Sequence, residues 1–154
     1  MQEPGVTMVE WNGVVLLHIA ADMPLKALKE TTQGYRDAIA RLGDFLSVTI
    51  LELEFFPKLN DEQKAEVRVM GDVTRHLKKP VVQWVMGDGI INATLRVMLS
   101  TLNLLTSRRI KTVRNEEDLV QFVLSHEPRL SGDELRATLR ELRAYSRKCK
   151  STQP

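Results

Sequence analysis

Three histidines, one cysteine and a scatter of hydroxyls are the groups in this 154-residue chain that could serve as ligands, bases or nucleophiles. A zinc centre needs three or four ligands brought together, and nucleophilic hydrolysis needs a base beside the nucleophile. His18, His76 and His126 lie far apart in sequence, His18 inside a strand-like run and His126 at a helix end. Each reads as a surface histidine or a satisfied core histidine. Ser100, Ser107 and Ser131 have no recognisable base near them in sequence. The chain holds no G-x-S-x-G, no H-E-x-x-H and no Walker loop. Cys149 is the only cysteine, so neither an internal disulfide nor a zinc site built from cysteines can form. No enzyme activity, cofactor or metal is therefore expected. Gly87-Asp88-Gly89 could offer backbone N–H groups to an anion, but a tight strand-to-helix turn is the simpler reading of so short a motif.

Two charged stretches remain. Asn60-Asp61-Glu62-Gln63 has the spacing of a capping box, and acids in a first turn face the positive end of the helix dipole. Arg136, Arg140, Arg143 and Arg147 fall at i, i+4, i+7 and i+11, beside a stripe of Leu135, Leu139 and Leu142. Residues 1–127 carry 15 basic and 17 acidic groups, net −2, whereas residues 128–154 carry 7 and 3, net +4. The arginine stripe is either a solvated face over leucines packed on the domain or an arm for an acidic protein, RNA or an anionic membrane. Tyr145 is the tail's single aromatic residue, which leaves little support for base stacking.

The elements that must position these groups follow from local signals. Val6–Trp11 and Val14–Ala20 flank Asn12-Gly13, the strongest short hairpin signal because both turn residues accept positive φ. Pro24 opens a helix whose apolar positions are Leu25, Leu28, Tyr35, Ile39 and Leu42, with Gly43 as its stop. Leu46–Leu53 is a strand that heads towards Phe55. A helix from about Asp61 carries Val69, Met70, Val73 and Leu77, and Pro80–Val85 is a buried type of strand. Ile91, Leu95, Met98, Leu102 and Leu105 repeat at helical spacing. Ile110–Val113 is a short strand, and Asn115 caps the next helix. Ser131-x-x-Glu134 is a second capping box, and it opens the basic helix. Strands alternating with helices after an opening hairpin predict an α/β fold with a mixed sheet. The N-terminus lacks a basic segment followed by an apolar run, so no signal peptide is read. The longest apolar region, Ile90–Leu105, contains Asn92, Arg96 and Asn103 and is too short and polar to cross a bilayer.

The succession of an apolar helix over Leu95–Leu104, a strand at Ile110–Val113 and a capped helix over Asn115–Val123 resembles the C-terminal half of the STAS domain. That is the fold of bacterial anti-sigma-factor antagonists and of sulfate-transporter tails. The resemblance spans roughly Thr7 to Ser125 and is weakest at Pro57–Gln63. Family antagonists carry an acid on the central strand, then Asp-Ser-Ser/Thr-Gly at the start of the second helix, and the first Ser is phosphorylated. On that pattern Glu52 takes the strand-acid position, Asn60 the motif Asp and Asp61 the phosphoacceptor, while Glu62 and Gln63 replace the rest. A carboxylate cannot be phosphorylated by a Ser/Thr kinase. Asp61 is then either a helix-start acid alone or an imperfect mimic of phosphoserine, with one charge in place of nearly two.

The resemblance implies a STAS-like domain over residues 1–127, with a mixed sheet of about five strands and about four helices, complete without a basic helix and frayed tail at 128–154. It implies a non-catalytic, cytoplasmic, regulatory interaction module. Its docking surface would comprise Asn60, Asp61, Glu62, Ala65 and the Gly87-Asp88-Gly89 turn. The partner would be an anti-sigma-type kinase, another STAS chain (a homo-oligomer included) or a larger assembly. Two alternatives stand beside it: a lipid or small-ligand binder, and a nucleic-acid-associated regulator using the arginine helix.

Overall fold

The computed structural model describes residues 2–3, 5–20, 23–53, 58–87 and 110–151. Among the described residues six strands form one sheet: β1 (Gln2–Glu3), β2 (Val6–Trp11), β3 (Val14–Ile19), β4 (Leu46–Leu51), β5 (Val81–Val85) and β6 (Ile110–Val113). They lie side by side in chain order. β1, β2 and β3 pair antiparallel, and β3 to β6 pair parallel. The described helices are α1 (Leu25–Leu42), α2 (Asp61–Thr74), α3 (Glu116–His126) and α4 (Gly132–Ser151). The expected α/β fold with a mixed sheet is the one observed. The helix expected over Ile91–Leu105, and with it Pro57, Asp88 and Gly89, falls outside the described residues.

Local chemistry accounts for most element ends. The β2–β3 hairpin turns at Asn12 and Gly13, whose φ values of 48° and 78° suit a two-residue loop closed by the Trp11–Val14 pair. α1 stops at Gly43, where φ is 74° and the backbone N–H bonds back to the Ile39 carbonyl. β4 ends at Leu51, earlier than expected, although the Glu52 amide still donates to the Ile19 carbonyl of β3 at 2.8 Å. The two-residue β1 was not expected. Gly5 (φ 78°) folds it back on β2, and the Gly5 carbonyl accepts from the Ala20 amide at 2.6 Å.

The pleat divides the core in two. Val15, Leu17 and Ile19 of β3 face α1 and α2, in a cluster with Ala27, Tyr35, Ala38 and Phe45. Val14 and Leu16 face the opposite way, with Leu46, Val48, Ile50, Val82 and Trp84 of the next two strands. That second face is covered by Leu119, Val120 and Val123 of α3 and by Leu135, Leu139 and Leu142 of α4. Parallel neighbours joined by right-handed crossovers put their connecting helices on one face, which places α1 beside α2. α3 follows the last strand and returns to no further one, so that rule leaves it free to pack on the other face. Leu135, Leu139 and Leu142 are 0%, 0% and 4% exposed. The expected boundary at residue 128 is therefore a bend in the chain and not an edge of the core. Among the described residues, no helix is long and apolar enough to cross a membrane.

Candidate functional site

The carboxyl ends of β3, β4 and β5 and the N-terminus of α2 lie at the same end of the sheet, where open α/β sheets place their binding residues. α2 begins with a complete capping box. Asn60 Oδ1 accepts from the Gln63 amide at 2.9 Å, and the Asn60 amide donates to Gln63 Oε1 at 2.8 Å. Gln63 Nε2 also donates to the Met23 carbonyl at 2.9 Å, which fixes the helix start against the segment entering α1. Beyond that fixed start α2 stays largely in solvent. Thr74 is the one residue of α2 that is buried. Asp61 is fully exposed, with Lys64 Nζ 3.7 Å away, and Glu62 and Ala65 are exposed beside it. Val69, two turns beyond Asp61, is 38% exposed, and Val67 is 40% exposed.

Four of the expected docking residues, Asn60, Asp61, Glu62 and Ala65, thus form one continuous exposed stretch. Gly87 is exposed just beyond β5, with φ at 92°, a left-handed value that favours glycine. The Asp88 and Gly89 part of that turn lies outside the described residues.

The arginine stripe has a different arrangement from a free basic face. Arg147 donates to Glu52 Oε1 at 2.6 Å, and the Arg143 Nε–Glu52 Oε2 distance is 3.5 Å. Arg143 also stacks over the Trp84 ring, 5.6 Å from its centroid. Arg136 donates to Glu117 of α3 at 2.7 Å and lies 3.4 Å from Asp133. Arg140 is exposed. Three of the four arginines are thus engaged within the chain.

Sequence reasoning missed the cluster that receives two of them. His18 lies in the middle of the sheet, 0% exposed, with its Nε2 3.0 Å from Glu52 Oε2. Its Nδ1 is buried and has no partner among the described residues. Burial lowers the His18 pKa from the ordinary 6.5, outweighing the hydrogen bond and negative charge of Glu52, which raise it. Burial would raise the Glu52 carboxyl, but the hydrogen bond from Arg147 and the charge of Arg143 outweigh it and hold the pKa below the usual value. Beside this group, the Thr7 and Ser146 hydroxyls meet at 2.7 Å in a buried hydrogen bond. His18, Glu52, Arg143 and Ser146 fasten the C-terminal half of α4 to the sheet.

One signal for the cluster was present in the sequence. Ile50 and Glu52 share a strand face at period two, and Arg143 and Arg147 share a helix face at i, i+4. No local rule says that those two faces meet. The other histidines lie where the sequence put them: His76 is exposed, and His126 is exposed with its ring against Phe122, centroids 4.4 Å apart. Compared with known family models, with curated proteins and with solved structures, the chain matches none.

Proposed function

We propose that the chain is a non-catalytic docking module of the STAS type, working in the cytoplasm, which recognises a protein partner through the outward face of α2. One observation carries the reading. A 14-residue helix with a fully formed capping box buries a single residue and leaves Val67 and Val69 in solvent beside Asp61, Glu62 and Ala65. A helix held at its start and left uncovered, apolar at its centre and charged at its rim, has the composition of a protein interface. On the STAS resemblance Asp61 stands at the phosphoacceptor position, so docking would not be switched by a Ser/Thr kinase there. The carboxylate supplies a permanent negative charge at a helix start that favours one. The partner would be an anti-sigma-type kinase, another STAS chain, a second copy of this one, or a larger assembly.

The test is co-purification from native lysate and size-exclusion chromatography, with Asp61→Lys and Val69→Asp compared with wild type. Both positions are exposed, so both variants should fold and melt as wild type does. Each should lose the same specific partner, or the dimer. Equal recovery of every bound protein and an unchanged elution volume would sink the reading.

A further inference from the structure

One carboxylate holds the C-terminal half of α4 to the sheet, and it is shared. Thr7, His18, Ile50 and Trp84 pair in register, forming one row across β2, β3, β4 and β5 on the face that α4 covers. Glu52, two residues beyond Ile50, reaches back to this row. Its Oε2 accepts from His18 Nε2 at 3.0 Å and lies 3.5 Å from Arg143 Nε, and its Oε1 accepts from Arg147 at 2.6 Å. A carboxylate can only accept, so Nε2 carries the hydrogen of the neutral ring. Among the described residues, the charged groups that bear on His18 are Glu52 from beyond β4 and Arg143 and Arg147 from α4. Thr7 and Trp84, from β2 and β5, carry no titratable group.

With the ring neutral, two guanidinium groups already outnumber one negative charge. A solvent proton taken up at His18 Nδ1 makes a third cation, and it shares Oε2 with Arg143. Like charges a few ångströms apart, away from bulk water, repel strongly. The three groups differ in their freedom to leave. The His18 side chain is 0% exposed in the middle of β3 and cannot move without the sheet. The Arg143 and Arg147 side chains are 22% and 59% exposed and stand on the last turns of a helix. An exposed guanidinium exchanges a carboxylate for water at little cost. Burial is the main cause that holds the His18 pKa low, and the two arginines add to it. Lifting the end of α4 weakens each of these causes, so the lifted form binds the proton more tightly, and acid favours it. The first half of α4 has anchors of its own: Leu135 and Leu139 are fully buried, and Arg136 is bonded to Glu117.

We propose that His18, Glu52, Arg143 and Arg147 form an acid-operated latch. Protonation of His18 takes Glu52 from the two arginines, and α4 lifts from the sheet from Arg143 onward while its first half stays in place. The Thr7–Ser146 hydroxyl bond opens with it, and Trp84 loses the guanidinium that stacks over its ring. The charge set free is the basic end of α4, which at neutral pH is occupied by an acid of its own chain. Glu52 keeps its charge through this change, because its own pKa lies below 4.5. The latch therefore works below the ordinary histidine value of 6.5 and above 4.5. The inference is independent of the docking reading, whose residues belong to α2 and the turn after β5.

The test is amide hydrogen exchange of the full chain between pH 7.5 and 4.5, corrected for the intrinsic effect of pH and read by segment. Residues 143–151 should exchange about tenfold faster at the acid end, while β3, β4 and the start of α4 change by less than about twofold. Trp11→Phe leaves Trp84 as the sole tryptophan, and its quenching by acrylamide should rise over the same pH range. His18→Gln can still donate to Glu52 but cannot titrate, so its α4 end should stay protected down to pH 4.5. Glu52→Gln, at a partly exposed position, removes the shared charge. Its α4 end should exchange fast already at pH 7.5 and gain nothing from acid. Residues 143–151 that stay protected at pH 4.5, an acid response that survives in His18→Gln or in Glu52→Gln, or faster exchange spread evenly over β3 and β4 would each overturn the proposal. Should His18→Gln not fold, the Glu52→Gln comparison decides alone.

Discussion

His18 and Glu52 come from the ends of two neighbouring strands and lie in one buried polar group, but acid acts on them for different reasons. In the folded chain His18 is kept neutral chiefly by burial, so its pKa lies below the ordinary 6.5. The unfolded chain takes up a proton once the pH falls below that value, and the folded chain takes it up only at lower pH. Stability contributed by the neutral ring is therefore present above about pH 6.5 and is lost as the pH falls towards the folded-state value. The Glu52 carboxylate, lowered from 4.5 despite its burial, adds a second loss that begins below that lower number. Urea midpoints measured from pH 8 down to pH 5 should fall steadily for wild type. His18→Leu should flatten that part of the curve and keep the steeper fall below pH 4.5. Parallel curves for the two proteins across pH 8 to 5 would show that His18 does not titrate on unfolding.

α2 separates the two jobs that a helix start can do. Asn60 satisfies a backbone donor, and the Gln63 side chain returns the bond and also holds Met23. Loss of such a cap typically costs about 1 kcal/mol. Asp61, one position on, points fully into solvent, with Lys64 Nζ 3.7 Å from its carboxylate. Asn60→Ala should lower the denaturation midpoint measurably. Asp61→Ala should leave the midpoint where it was and weaken binding. Equal binding by wild type and Asp61→Ala would leave Asp61 only its place at the helix start. α4 shows a different economy of charge. Its leucines face the core, while Arg143 and Arg147 reach past them to Glu52, and Arg136 reaches to α3. A run that looks like an arm for an acidic partner finds most of its acids within the same chain.

At the scale of the whole molecule, the sheet needs both helical layers. The α3–α4 face buries Val14, Leu16, Val48, Ile50 and Val82 completely, and α4 supplies Leu135, Leu139 and Leu142 to that cover. Burying a leucine contributes about 1.5–3 kcal/mol. Three of them, with the polar fastening at Glu52, approach the roughly 5–15 kcal/mol that separates folded from unfolded domains. A chain ending at Glu127 should therefore be insoluble or molten, with loss of near-ultraviolet circular dichroism and of a cooperative urea transition. A cooperative transition with only a modest loss of stability would show that residues 1–127 close a core of their own, as the sequence alone had suggested.

What the sequence determined is whatever is settled within a few residues of itself. Asn12-Gly13 sets a hairpin because both positions accept positive φ. Asn60 with Gln63, and Asn115 with the Asp118 amide at 2.8 Å, set helix starts through bonds that span three residues. Gly43 ends α1 through a bond to Ile39. Strands alternating with helices then leave an α/β sheet as the natural outcome. What only the tertiary structure decided are the meetings of distant residues. His18 and Glu52 are 34 residues apart, and Glu52 lies 91 and 95 residues from Arg143 and Arg147. The side of the sheet that α4 covers and the direction in which its arginines turn belong with them. Periodicity gives each element a face, but not the face it meets. That choice rests on which apolar surfaces fit together once the whole chain has collapsed, a property of no single segment.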